Sequence, residues 1–247
     1  MEIITSTDNQ TVKRIGRLKQ KKYRDRDGEF YIEGLANVLD TARAVPDSVK
    51  LVVLSESAAK RCGDDFVAFK AVVFSDELFD KVTDTESASG VLSINSVPPQ
   101  RMPSARACVL LDRVRDPGNV GTILRTAVAA GYDVILNNCA DVFAPKVVRS
   151  AMSAIVKCNI SLDLPPEEIK KLGYDLIACD MGGENVFEAK LPAGKYCIVI
   201  GNEASGISDE VLKQSTGILS LPQKNIESLN AAVAAGIMMY ALAFIRK

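Results

Sequence analysis

Short apolar runs along the chain alternate with stretches of helical spacing, and this alternation predicts an α/β protein. The clearest unit is residues 109–131, VLLDRVRDPGNVGTILRTAVAAG. Val109, Leu110 and Leu111 close on Asp112 as a buried strand, and Asp116-Pro117-Gly118-Asn119 carries turn chemistry. In the helix that follows, Val120, Ile123, Leu124, Ala127 and Val128 share one face. Asn119, Thr122, Arg125 and Thr126 share the other. A polar loop and a polar helix face thus stand together at the carboxyl end of a strand, where open α/β sheets bind ligands. Taken alone, Asn119 reads equally well as an N-cap and Arg125 as a solvated helix arginine.

Upstream, strands over 29–34, 49–54, 71–74 and 90–94 alternate with helices over 35–44, 57–62 and 76–81. They predict a small α/β/α domain spanning 1–95. The segment 96–106, SVPPQRMPSAR, is rich in proline and aperiodic, which marks a linker. A second domain, 107–247, follows. Its expected strands after the first are 133–136, 175–179, 196–200 and 217–221, and its expected helices include 145–155, 166–172, 209–214 and 229–245. That order predicts a mostly parallel sheet covered on both faces. The apolar run 231–245 is shorter than a bilayer requires and rich in alanine, so it predicts a helix buried on all sides, in a core or a subunit interface. No membrane span and no apolar signal segment are expected.

Composition narrows the chemistry. Histidine is absent, which excludes Ser-His-Asp and Cys-His nucleophilic sites and removes the commonest metal ligand, so no metal site is expected. The six cysteines are scattered singly, several within apolar runs, as core thiols of a cytoplasmic protein are. With a formal net charge of −1, an anionic partner must be held by a local patch. The strongest basic stretch is 11–26, where Val12, Ile15 and Leu18 form a modest apolar stripe. Lys13, Arg14, Arg17, Lys21, Lys22 and Arg24 form its candidate RNA-binding face, with Lys19 and Arg26 beside them. Such a run is either a solvated helix face or a phosphate-tracking surface. Tyr23 lies near it, and so do Phe30 and Tyr31, which read as core residues of a strand.

Two later segments repeat the strand-into-polar-loop design: 198–208, IVIGNEASGIS, and 219–236, LSLPQKNIESLNAAVAAG. The first lacks the Gly-Lys-Ser/Thr ending of a phosphate-binding loop and the G-x-G-x-x-G of a dinucleotide fold. In the second, Ser228 and Asn230 stand where the last helix begins, as caps or as site residues.

Together the three loops resemble the signature motifs of the SpoU (TrmH-type) RNA ribose methyltransferases of the SPOUT superfamily. The first matches as D-x-V-x-D-P-x-N-x-G-x-x-x-R-T-A from Asp112 to Ala127, the second as I-G-N-E-x-x-G from Ile200 to Gly206, and the third as P-x-x-x-x-x-S-L-N from Pro222 to Asn230. The segment CADVFAPKVVRSAMSAI between them is also similar, so the resemblance covers residues 107–247. The stretch NQTVKRIGRLKQKKYRDRDGEFYIEG looks like the substrate-binding domain of rRNA-directed members. The resemblance implies a trefoil-knotted α/β methyltransferase domain, a homodimer, S-adenosylmethionine as methyl donor, and methylation of a ribose 2′-hydroxyl in RNA, rRNA ahead of tRNA. It assigns Asn119, Arg125, Glu203, Ser228 and Asn230 as the functional polar residues and Gly201, Leu221 and Leu229 to the cofactor.

Departures from the family pattern are Gln223 at a usual methionine, Asn225, Ala204 and Ser153 at usual glycines. Asparagine tolerates left-handed backbone, whereas Ala204 would be strained if a positive φ were required there. A guanidinium stays protonated in proteins, so Arg125 is expected to bind the adjacent phosphate and stabilise oxyanion charge, not to act as the base. The competing classes are an RNA-binding protein that keeps the fold without transfer and a nucleotide enzyme of another chemistry. Retention of all five functional polar residues argues against the former, and the missing phosphate-loop and dinucleotide fingerprints argue against the latter.

Overall fold

The computed structural model describes residues 2–83, 89–190 and 193–244. Its strands form two sheets in two compact units, one comprising the chain up to Pro99 with Phe143–Val156, the other Gln100–Val142 with the chain from Lys157 onward.

The first unit runs β1 (Ile3–Ile4), α1 (Gln10–Leu18), α2 (Lys21–Asp27), β2 (Glu29–Glu33), α3 (Leu35–Ala44), β3 (Val49–Ser55), α4 (Glu56–Cys62), β4 (Ala71–Phe74), α5 (Asp76–Val82) and β5 (Val91–Ser96). The sheet order is β1-β4-β3-β5-β2, with β1, β4 and β3 parallel and β5 antiparallel to both its neighbours. Strand alternation sends Tyr31, Leu51, Val53, Leu92 and Ile94 into one core with Ile15, Leu18, Leu78 and Phe79. The intervening Phe30, Ile32, Val52 and Leu54 are buried as well, as a sheet covered on both faces requires. The basic stretch is two helices, not one. Arg24 donates from Nη1 to the Leu18 carbonyl at 2.7 Å, satisfying the end of α1, and Gly28 closes α2 in left-handed backbone.

The expected linker 96–106 is divided between the two units, Ser96–Pro99 lying with the first and Gln100–Arg106 with the second. Ser96 ends β5, and Val97 N–H donates to Gly28 O at 2.8 Å. From the other side, the Arg101 carbonyl accepts from Ser161 Oγ at 2.6 Å, and Asp133 Oδ2 accepts from the amides of Ser104 and Ala105 at 2.6 and 2.9 Å.

The second half of the chain runs β6 (Ala107–Asp112), α6 (Pro117–Ala130), β7 (Asp133–Asn137), α7 (Pro145–Ala151), α8 (Ala154–Lys157), β8 (Ile160–Leu162), α9 (Pro166–Lys171), β9 (Tyr174–Asn185), β10 (Lys195–Ile200), α10 (Asp209–Gln214), β11 (Gly217–Ser220) and α11 (Ala231–Phe244). The helix expected over 145–155 breaks at Met152, whose φ is +54°. This segment, inside the 107–247 range by sequence, packs with the first unit: Phe143 stands 5.0 Å from Phe30, and Ser153 Oγ donates to Asp40 of α3.

The second sheet, β11-β9-β10-β6-β7-β8, is parallel at every pairing. Strand β9 extends well past the expected 175–179. Ile218 pairs with Ala178 and Leu219 with Glu184, so the residues between bulge out; a Cβ on Gly183 would lie 2.6 Å from the Ile218 and Leu219 carbonyl carbons. One face of the sheet packs Cys108, Leu110, Ile135 and Leu176 against Ile169 of α9 and Val211 of α10.

Helix α11 lies against α6. Its Ala231, Ala235, Met238, Met239 and Leu242 are buried, but Val233, Ile237, Tyr240 and Phe244 form an exposed apolar stripe, so within one chain it is not buried on all sides. Ile245, the expected end of this helix, lies outside the described residues. Among the described residues no helix is long and apolar enough to cross a membrane.

Candidate active site

Parallel strands β6, β10 and β11 deliver three loops to one end of the second sheet. Asp112, the last residue of β6, is buried, and its Oδ2 accepts from the Ser208 amide at 2.6 Å. Arg113 follows in left-handed backbone, φ +61°. Its Nη2 donates to the Gly206 carbonyl at 3.2 Å, and its own carbonyl accepts from Asn202 Nδ2 at 2.9 Å. The first loop therefore grips the second at both ends. Asn202 folds that second loop by accepting from the amides of Ala204 and Ser205, each at 3.0 Å. The left-handed position of this turn is Gly206, φ +66°, so Ala204 carries no such strain. Gly201 has no room for a side chain: a Cβ there would sit 2.4 Å from Gly206 C and Ile207 N.

Helix α6 starts at Pro117, and Asp116 is its N-cap, accepting from the Asn119 amide at 2.8 Å. Asn119 is thus freed from capping. It is only 8% exposed, and its Nδ2 donates to Glu203 Oε1 at 2.8 Å while its Oδ1 accepts from Asn230 Nδ2 at 2.9 Å. Asn230 in turn caps α11, accepting from the amides of Ala232 and Val233 at 2.9 and 3.2 Å. One carboxamide joins all three loops. Burial alone would raise the Glu203 pKa. Hydrogen bonds from the Asn119 side chain and from the backbone of Glu203, Arg115 and Asp116 outweigh it and hold the carboxyl below its ordinary value, so it is ionised at neutral pH.

Beside this junction lies a cleft of about 700 Å³, within the range of small-ligand sites. Gly201, Leu221 and Leu229 line it, together with Glu203, Ser228 and Asn230. Asn119 is not on its wall and acts there through Glu203 and Asn230. Arg125 is exposed on α6, outside the lining, and makes no hydrogen bond or ion pair among the described residues. Ser228 is exposed on the wall, and the cap is Asn230. Asn225, at a usual glycine, adopts φ +63°. Cys179 also lines the cleft; burial pushes its thiol up to about 12, so it stays protonated. Asp112, Arg113 and Asn202 were not singled out from the sequence as loop-holding residues, although an asparagine in a Gly-bounded loop is a recognisable turn former.

In the first unit the basic residues divide. Arg24, expected at an RNA surface, is 4% exposed and committed to Leu18; its position on the inner face of α2 withdraws it from any ligand. Arg14 forks onto Glu29 at 2.9 and 2.6 Å. Lys13 pairs with Asp8 and Lys21 with Asp25, both exposed. Arg17 and Lys22 are exposed, and Tyr23 has Lys22 Nζ 4.7 Å and Arg26 Cζ 5.0 Å from its ring centroid.

Comparison with known proteins matches two separate stretches of the chain. Residues 106–240 match the model of the SpoU rRNA Methylase family, and residues 9–93 match an MRM3-like substrate binding domain. The 23S rRNA (guanosine(2553)-2′-O)-methyltransferase RlmP of Bacillus subtilis (strain 168) is 30% identical over 98% of this chain and 99% of its own length. The crystal structure of an rRNA methyltransferase from Sinorhizobium meliloti superposes with a TM-score of 0.83 at 28% identity, covering 97% of this chain and 96% of that one. Its AdoMet-bound form gives 0.81 over the same shares.

Proposed function

Because the chain belongs to the SpoU rRNA methylase family, we propose that it transfers a methyl group from S-adenosylmethionine to a ribose 2′-hydroxyl of ribosomal RNA. The observation that carries this reading is the junction of Asn119, Glu203 and Asn230, which ties the three motif loops together at the edge of the cleft. The 2′-hydroxyl target follows the similarity to RlmP over nearly the whole chain.

The cleft residues fit the methyl donor. Gly201 leaves backbone bare where a Cβ would collide, and Leu221 and Leu229 give apolar walls of the kind that hold a nucleoside. When bound, S-adenosylmethionine supplies a methyl on a sulfonium, already a strong electrophile. The protein's task is then mainly alignment. Asn119 and Asn230 hold the Glu203 carboxylate in one orientation. Arg125 is exposed and uncommitted, and its permanent charge suits a phosphate of the RNA backbone next to the reacting ribose. From there it stabilises negative charge developing on the ribose oxygen.

RNA engagement by the first unit rests on Lys22 and Arg26 over the Tyr23 ring, a basic surface with an aromatic ring, together with the exposed Lys21 and Arg17. The exposed stripe Val233, Ile237, Tyr240 and Phe244 of α11 supports a homodimer, because an apolar face of this kind is covered in a stable assembly. A ribosomal RNA substrate and six single cysteines fit the cytoplasm.

Incubation with methyl-labelled S-adenosylmethionine and either ribosomal or transfer RNA from cells lacking the gene tests the reading. Label in ribosomal RNA alone is the expected result. Label in transfer RNA alone, or in neither, contradicts it.

A further inference from the structure

Gln223 follows Pro222 on the loop after β11 and stands on the wall of the cleft. Its Oε1 is shielded from water and has no hydrogen-bond partner among the described residues. An acceptor buried without a donor is destabilising, and such a group in a folded protein calls for a reason. Three other polar side chains at this end of the sheet are engaged. Asn230 is held by Asn119 and the α11 amides, Asn202 by Arg113 and its own turn, and Glu203 by Asn119. Gln223 alone of these carboxamides is uncommitted, so turning it toward a ligand breaks no hydrogen bond.

A neutral carboxamide on a partly apolar wall suits a neutral donor group. A carboxamide pairs with adenine because the ring carries an exocyclic amine that donates and a neighbouring nitrogen that accepts. A methionine, usual at this position in the family pattern, offers no such acceptor. We propose that Gln223 reads the adenine ring of the methyl donor by accepting a hydrogen bond from its exocyclic amine. The assignment rests on the S-adenosylmethionine reading above and adds a base-specific contact by this chain's own side chain. The adenine amine supplies the donor that this oxygen lacks within the protein.

The test is calorimetric titration of the full chain with S-adenosylhomocysteine and with its analogue lacking the adenine amine, for the wild type, Gln223→Met and Gln223→Leu. The wild type is expected to prefer the amine-bearing ligand by about tenfold or more, and both variants to bind the two ligands alike. The ligand-free variants should also melt at a higher temperature than the wild type, because the unpaired acceptor is gone. Variants that keep the wild-type preference overturn the role of Gln223. A wild type that binds neither ligand overturns the S-adenosylmethionine reading itself.

Discussion

Asn119 donates to Glu203 at 2.8 Å from a position three residues inside helix α6, and the same side chain accepts from Asn230. Two loops far apart in sequence thus share one carboxamide. Asn119→Ala removes both hydrogen bonds at once, and is expected to cost about 1–3 kcal/mol of stability. In a double-mutant cycle, Asn119→Ala and Glu203→Ala should be coupled by about 0.5–3 kcal/mol in urea unfolding. Additive effects would show that the contact carries no energy.

Glu203 also gives the site a pH signature. Its folded pKa lies below its ordinary 4.5, so the unfolded chain takes up the proton first as pH falls. The stabilisation is fully present above the unfolded value and is lost as pH drops through the folded one. Melting temperatures of the wild type and Glu203→Gln should therefore differ most at neutral pH and converge as the pH falls below 4.5. A difference that grows on acidification would reverse the assigned direction.

Arg125 separates chemistry from folding. Being exposed and unbonded, it can be replaced at a stability cost within about 0.5 kcal/mol. Arg125→Ala is expected to lower methyl transfer by about 100-fold. Arg125→Lys keeps the charge but not the fork, and should lose transfer with RNA affinity retained. Near-normal transfer by Arg125→Ala would remove it from the chemistry.

The basic residues of the first unit should respond in opposite ways. Arg24→Ala removes the donor to Leu18 O and should lower stability by about 1–3 kcal/mol. Lys21→Glu with Lys22→Glu should leave stability nearly unchanged while weakening RNA binding and flattening its salt dependence. An unchanged salt slope would make the exposed run an ordinary solvated face.

Much of the fold was legible because its elements are amphipathic and properly punctuated. Helices 35–44 and 209–214 coincide with α3 and α10. Strands β1 and β8, two and three residues long, are too short to carry a period. Strand β9 runs past the expected 175–179 because Gly183 lets its bulge press against β11. The break at Met152, φ +54°, interrupts an apolar pattern that continues to Ile155. In the site, the polar face of 119–126 was visible, but whether Asn119 caps or reaches across depended on Asp116 taking the cap. Arg24 was misread because a charge run does not show which of its members turns inward.

The most direct test of the account is the chemical position of the transferred methyl. Ribosomal RNA from cells lacking the gene, labelled by the protein with tritiated S-adenosylmethionine, is hydrolysed in alkali and its products separated. A methylated 2′-oxygen cannot attack the neighbouring phosphodiester, so the account predicts all label in one alkali-resistant dinucleotide. Label released in mononucleotides would mean methylation of a base and would contradict it.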